Sequence, residues 1–268
     1  MPFIFVGGSA RSGTSLVQKL LVSHSAIAGG PEFDHTGAIV DLYRRMSEPW
    51  RLDRQAFYYT AGQLADGFRA FYEGFFTQVT ERDPDAAFLS EKTPSNILAA
   101  ETLLELWPDA VFVNVVRDGR DVVLSHLDVN RRYRARGERN PERDTLLSVC
   151  RHWNACISAY FDLMARPDLS ERVHHVVFED LVTRPEDEVR RLFEFLGLKT
   201  EERQMHPENI TEQEVGVVLE GAYFTQQLYR QPFNAAKTNR WRQEMNPLQK
   251  AAATRLMKSN LRRLGYPT

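Results

Sequence analysis

Apolar residues along this chain come in two rhythms. Short unbroken runs are bounded by glycine, proline or charge, while longer stretches repeat with helical spacing. The first run, Phe3 to Val6, predicts a strand over 3–7, and the periodic stretch after it predicts a helix over 14–23. A loop follows to Glu32, and helical periodicity then covers roughly 36–82. A second strand is expected near Ala87 to Glu91, and a helix from about Asn96 to Trp107, stopped by Pro108. Ala110 to Val116 reads AVFVNVV, the continuous apolar run of a parallel strand buried on both faces. Helices continue to about 165, His174 to Phe178 reads as a further strand, and Pro185 to Leu196 as a helix ended by Gly197. A loop-rich region from 199 to 240 leads to a final helix over about 247–264. Strands alternating with helices predict an α/β fold: a mostly parallel sheet flanked by helices, with helical insertions. The sequence contains no repeat, low-complexity tract or Pro/Gly/Ser linker, so a single domain over 1–268 is expected.

Composition narrows the picture only slightly. With 43% apolar and 26% charged residues the chain reads as an ordinary globular one. A formal net charge of −2 gives no global attraction to nucleic acid or to a membrane surface, so any anion site must be local. The two cysteines, Cys150 and Cys156, are six apart on one expected helix and point to different faces. Buried free thiols are therefore expected, which fits a reducing compartment. No run is long enough to span a membrane, and a strand starting at Phe3 leaves no room for a signal peptide; the expectation is a cytoplasmic protein.

The most informative chemistry lies in FIFVGGSARSGTSLVQKLL, Phe3 to Leu21. A strand, a glycine-rich loop and a helix N-terminus in succession form an anion cradle, in which backbone N–H groups approach an oxyanion and the helix dipole adds positive potential. The spacing from Gly8 to Ser15 nearly fits the nucleotide-binding loop G-x-x-x-x-G-K-[ST], but Thr14 fills the lysine slot and the cation, Arg11, sits inside the loop. Phosphoryl transfer from a nucleoside triphosphate needs that lysine on the β- and γ-phosphates. A second motif follows the most apolar strand: VVRDGRDVVLSH, Val115 to His126. Arg117 stands where the strand ends, and Ser125 lies inside the next helix, more than a turn on. Both can face the crevice that the first loop faces, and a guanidinium fork suits a phosphate. Taken alone, Arg117 and Asp118 would equally well cap a helix.

The two motifs together resemble the sulfotransferases that use 3′-phosphoadenosine 5′-phosphosulfate. In that family a loop R-x-G-T-[ST] embraces the 5′-phosphosulfate, and Arg11, Ser12, Gly13, Thr14 and Ser15 match it. A phosphosulfate carries less charge than a triphosphate, consistent with the absent lysine. Residues matching Arg117 and Ser125 bind the 3′-phosphate. The local text is most similar to the tyrosylprotein sulfotransferase branch and its bacterial relatives. Gly30-Pro31-Glu32-Phe33 resembles the segment carrying that branch's general base, and Glu91-Lys92-Thr93-Pro94 the segment whose lysine stabilises the transition state. Phe178-Glu179-Asp180-Leu181 with Phe195-Leu196-Gly197 resembles a further family signature, with Phe178 in place of an adenine-side tyrosine. Near the C-terminus, Thr225 falls where the branch has a serine beside the sulfate, and Arg240, ahead of Trp241, where it has a lysine. An arginine of the branch falls near Val129, with Arg131 and Arg132 as its possible substitutes.

The resemblance implies in-line transfer of a sulfuryl group to an acceptor hydroxyl, on peptide tyrosine, a sugar or a small molecule. Glu32 is expected as general base, with Lys92 and Arg11 stabilising developing charge. No metal is expected, since no histidine has ligand spacing with cysteine or carboxylate. Two other readings stay open: a P-loop kinase of unusual sequence, and a catalytically silent nucleotide-binding protein. The kinase would need Mg²⁺ and an acid after a strand, a place poorly filled by Asp118. A silent binder would have no use for Glu32 and Lys92 together. In isolation Glu32 would favour a helix dipole, and Lys92 would be a surface cation. Asn130 to Arg143 carries six arginines and reads as a solvated excursion, or as a basic rim that steers anions.

Overall fold

The computed structural model describes residues 1–140, 145–212, 214–216 and 230–268. At its centre is a five-stranded parallel sheet formed by β1 (Phe3–Gly8), β2 (Ile27–Gly29), β3 (Phe88–Lys92), β4 (Val111–Val116) and β5 (Val173–Val177), in the order β2-β3-β1-β4-β5. Because every pairing is parallel, all five carboxyl ends lie along one edge. The chain leaves β1 to one side to lay down β2 and β3, then crosses to the other side for β4 and β5. The switch point therefore falls between β1 and β4, where crevices form in such sheets.

Period-two alternation sorts β1 between two cores. Phe3 and Phe5 face a cluster with Tyr72, Leu103, Phe112 and Tyr160. Ile4 and Val6 face Leu20 and Leu21 of α1 (Thr14–Val22) and Val189, Leu192 and Phe193 of α2 (Pro185–Phe195). A third cluster joins Val116 of β4 to Trp153 of α3 (Leu146–Met164) and to Met257 and Leu261 of α4 (Pro247–Arg263). The predicted 36–82 insertion is a set of helices over Thr36–Met46, Pro49–Gln55, Ala61–Gly74 and Thr77–Arg82. The third of these starts on a reciprocal capping box between Thr60 and Gln63.

Three local expectations need correction. β2 lies inside what reads as a loop before Glu32. It has three residues, too few to show a period, and its partner β3 defines it, with Ile27, Ala28 and Gly29 opposite Phe88, Leu89 and Ser90. The helix expected over 96–107 is divided: Pro94 opens a 3₁₀ turn, Pro94–Leu98, and the α-helix proper runs Ala100–Leu106. The last strand ends at Val177, and Phe178 already begins a helix, Phe178–Thr183. Cys150 and Cys156 are both buried and share no disulfide, and burial pushes the Cys150 thiol up to about 11. Among the described residues no helix is long and apolar enough to cross a membrane.

Candidate active site

Each strand delivers a residue of interest to the carboxyl edge of the sheet. β1 runs into the glycine-rich loop, and β4 into Arg117. Glu32 follows β2, Lys92 ends β3, and Phe178 follows β5. The loop's shape depends on two glycines. Gly8 has φ 152°, and a Cβ there would stand 2.2 Å from the Val115 carbonyl oxygen. Gly13 has φ 105°, and a Cβ would meet the Phe178 ring at 2.5 Å. Between them Arg11 takes a left-handed φ of 71°, uncommon for a residue with a side chain. Alternating backbone handedness of this kind turns successive N–H groups toward one concavity. Gly13 precedes α1 with no side-chain cap, so the helix presents its first N–H groups, those of Thr14 and Ser15, to the crevice.

The second motif meets this loop directly. Arg117 is buried and donates from Nη1 to the Arg11 carbonyl at 3.1 Å and from Nη2 to the Lys237 carbonyl at 2.5 Å. Its guanidinium lies 4.5 Å from the centre of the Phe178 ring. Trp153 Nε1 donates to the Arg117 carbonyl at 3.1 Å and fixes the backbone there. Ser125 lies on α5 (Gly119–Ala135), and its Oγ accepts from Arg11 Nε at 3.2 Å. Residues more than a hundred positions apart thus converge on the β1/β4 switch point.

Cations are crowded here. Burial lowers the Arg117 guanidinium from its ordinary value, against the pull of Asp121 and Glu179. Burial also lowers the Lys237 ammonium, and the neighbouring charges of Arg240 and Arg117 lower it further. The nearby carboxylates are engaged elsewhere. Asp121 accepts from the backbone N–H groups of Asn239 at 2.6 Å and Trp241 at 2.9 Å. Glu179 accepts from the Asp118 N–H at 2.9 Å and the Tyr266 hydroxyl at 2.9 Å. Burial raises both carboxyl groups above their ordinary range. Two buried polar atoms in the crevice walls, Ser12 Oγ and Arg117 Nε, have no partner among the described residues. An anion bound here would satisfy both and relieve the crowding of like charges. The donor set consists of backbone N–H groups, hydroxyls and guanidinium. It fits a doubly phosphorylated nucleotide.

On the other side of β1, Lys92 Nζ donates to Glu32 Oε2 at 2.6 Å. The lysine side chain is 6% exposed and that of the glutamate 33%, so Glu32 forms the open side of the pair. The structure therefore brings Glu32 and Lys92 into direct contact. Arg11, expected beside them, is turned to Ser125 on the β4 side. Its backbone is left-handed, and its side chain crosses the switch point to that hydroxyl. Phe178 is buried with a ring face under Arg117 and its edge against Gly13. It supports those residues, and that face is not open to an adenine ring. Arg240 is paired with Glu244 at 2.7 Å and Asp128 at 3.2 Å. Arg131 pairs with Asp128. Thr225 lies outside the described residues, as does part of the arginine-rich segment. Lys237 is the functional candidate that sequence reasoning missed. Its one local signal is the cluster Lys237, Arg240 and Arg242, and only the folded chain sets it beside Arg117.

Fold and site define a P-loop-type α/β protein with a cationic crevice at the carboxyl ends of its strands. A family model described as the sulfotransferase family matches residues 2–202, and the chain belongs to that family. It is 28% identical over 247 residues to a chicken protein-tyrosine sulfotransferase 2, covering 90% of this chain and 63% of that one. It is also 28% identical over 273 residues to a zebrafish protein-tyrosine sulfotransferase 1, covering 99% and 72%. The chain thus spans a little under two thirds of the chicken protein's length. Among solved structures, the sulfotransferase domain of a Synechococcus olefin synthase superposes with a TM-score of 0.68 at 18% identity, over 100% of this chain and 96% of that one. A mouse sulfotransferase solved in complex with PAP superposes with a TM-score of 0.58 at 11% identity, over 97% and 85%. At those identities the likeness concerns the fold.

Proposed function

We propose that this protein is a sulfotransferase that takes its sulfuryl group from 3′-phosphoadenosine 5′-phosphosulfate and delivers it to an acceptor hydroxyl. The observation that carries this reading is the convergence at the β1/β4 switch point of the capless helix N-terminus with Arg117, Ser125 and Arg11, next to the Glu32–Lys92 pair. The N–H groups of Gly13 to Ser15, with the Ser12, Thr14 and Ser15 hydroxyls, hold the 5′ end of the nucleotide. Arg117 and Ser125 hold the 3′-phosphate, with Arg11, Lys237 and Arg240 adding positive potential around it. When bound, the nucleotide supplies an activated sulfuryl group. Glu32 takes the proton from the attacking hydroxyl, and its exposed side is where the acceptor approaches. Lys92 donates toward the oxygens on which charge builds up. Its ammonium is nearly desolvated, which strengthens that stabilisation. Little covalent chemistry falls to the protein itself, so orientation supplies much of the rate.

Peptide tyrosine is the acceptor this reading favours, because the curated relatives are protein-tyrosine sulfotransferases. A cytoplasmic location accompanies the proposal. The kinase reading is disfavoured by Asp118, the acid that follows β4. Its carboxylate is held bidentately by Arg120, at 2.9 and 2.7 Å, and is not available to a metal–phosphate complex. Calorimetry tests the proposal. Adenosine 3′,5′-bisphosphate should bind without a divalent cation and far more tightly than AMP or ATP. Equal affinity with and without the 3′-phosphate would sink the donor assignment, and Mg²⁺-dependent turnover of ATP would favour a kinase.

A further inference from the structure

Behind Lys92 lies a buried polar network with no place in the scheme above. Glu91, the residue before Lys92 on β3, is 1% exposed, and donors from three other elements converge on its carboxylate. Thr93 Oγ1 donates to Oε1 at 2.7 Å and Asn96 Nδ2 to Oε2 at 2.6 Å. The Tyr72 and Thr36 hydroxyls approach Oε2 at 3.4 Å each. A buried carboxylate is costly, and the direct gain in stability from such a network is small, so its role calls for another account. Thr93 supplies one. Its Oγ1 accepts the backbone N–H of Asp34 at 3.0 Å. The same hydroxyl gives its own proton to Glu91 Oε1, at 2.7 Å. A one-way chain therefore runs from Asp34 N–H through Thr93 to Glu91. Asp34 sits at a left-handed φ of 62°, a strained conformation that something must hold, and it lies two residues after Glu32.

We infer that Glu91 and Thr93 are positioning residues that fix the 30–35 loop so that the Glu32 carboxylate stays against Lys92. The same carboxylate anchors both halves of the pair, since it precedes Lys92 on the strand and reaches the Glu32 loop through one hydroxyl. Asn96 Nδ2 also donates to the Val6 carbonyl at 3.2 Å, which ties the network to the strand that feeds the glycine-rich loop. This inference rests on the assignment of Glu32 and Lys92 as the reacting pair.

Thr93→Val removes the relay while keeping the side chain's shape, and Thr93→Ser keeps the hydroxyl while removing the methyl. Hydrogen exchange read by mass spectrometry reports the Asp34 amide, and acetylation by acetic anhydride reports how tightly Lys92 is paired. In Thr93→Val, exchange within 32–36 and acetylation of Lys92 should both rise about fivefold, as expected for one lost hydrogen bond, while 3–16 keeps its protection. Thr93→Ser should restore both. The inference is overturned if Thr93→Val exchanges as the native protein does. It is overturned equally if Thr93→Ser fails to restore protection, or if protection falls throughout the molecule, which would make the contact a general fold contact. Glu32→Gln, assayed by sulfuryl transfer to 2-naphthol, tests the underlying assignment separately. Full activity there would remove Glu32 as base without altering the exchange result.

Discussion

Arg117→Ala probes the site at the point where binding and architecture are hardest to separate. The side chain makes two hydrogen bonds to carbonyls and lies on Phe178, so its loss perturbs the crevice with or without a ligand. Loss of a charge-assisted bond to a phosphate costs about 1.5–3 kcal/mol. At 1.4 kcal/mol per decade this amounts to roughly a 10- to 150-fold weaker Kd. A fall in affinity alone would not show what Arg117 touches. The informative quantity is the ratio of Kd for AMP to Kd for adenosine 3′,5′-bisphosphate, measured by calorimetry for the native protein and for Arg117→Ala. If Arg117 reads the 3′-phosphate, bisphosphate binding should weaken by the factor above while AMP binding changes little, and the ratio should collapse. If Arg117 only clamps Arg11 to Lys237, both nucleotides should weaken together. An unchanged ratio would refute the assignment. Because the missing contact is electrostatic, native discrimination should also shrink as salt is raised, though less steeply than for exposed charges, since Arg117 is buried.

Glu32→Gln should lower the turnover rate roughly 10²–10⁴-fold and leave bisphosphate affinity intact, because an amide keeps the shape but cannot take the proton; Lys92→Ala should likewise reduce kcat more than donor binding, and a pure KM effect in either would contradict the roles given. Gly13→Ala should abolish nucleotide binding, since its Cβ would stand 2.5 Å from Phe178 at a φ of 105°; a variant that binds normally would show that the loop is not the cradle. Arg120→Ala should destabilise the fold by about 3–5 kcal/mol in chemical denaturation through the unpaired Asp118, yet keep the bisphosphate-to-AMP ratio. Burial lowers Lys19 to about 8 from an ordinary 10.5, so the folded state binds fewer protons than the unfolded state between those values. Its contribution to stability should then be fully present above 10.5 and be lost as pH falls through about 8. The stability of the native protein relative to Lys19→Met should fall across that interval, and a constant difference would show that the lysine is solvated.

The parts of this site that could be read from sequence are those whose signals are local. The strand–glycine–helix succession from Phe3 to Leu21 needs only adjacent residues, as does the apolar run that delivers Arg117 to a strand end. Glu32 and Lys92 are legible through the resemblance of their local segments, Gly30-Pro31-Glu32-Phe33 and Glu91-Lys92-Thr93-Pro94. What escaped depends on contacts between distant segments. β2 is defined by its pairing with β3, and the placement of Lys237 by Asp121, which holds the 239–241 backbone from a position about 120 residues earlier. The resemblance sets Arg11 with Lys92 at the transferring group, whereas its side chain meets Ser125, a partner more than a hundred residues away that no local pattern names. The resemblance puts Phe178 where the family has an adenine-side tyrosine, and a residue type does not tell what covers its ring. Gly13 and Arg117 close on it only in the folded chain.

In the segment Arg117-Asp118-Gly119-Arg120 two arginines have different surroundings. Both arginines are buried, three residues apart, and have the same chemistry. Arg120 is neutralised: Asp118 takes two of its N–H groups, the Pro267 carbonyl takes a third at 2.7 Å, and the plane lies 3.8 Å from the Trp241 ring centre. Arg117 forms no ion pair among the described residues. Its partners are neutral carbonyls, which orient the fork without cancelling its charge, and its Nε has no acceptor among those residues. The carboxylates nearby, Asp121 and Glu179, are spent on backbone N–H groups and a tyrosine hydroxyl. Burying a guanidinium with its charge only partly offset, by Asp121 and Glu179 at a distance, is unfavourable, and an anion in the crevice would reduce that cost. The crevice is preorganised in this sense. The acids around it shape the backbone, so an anion entering the crevice would meet donors that are already oriented and only partly satisfied.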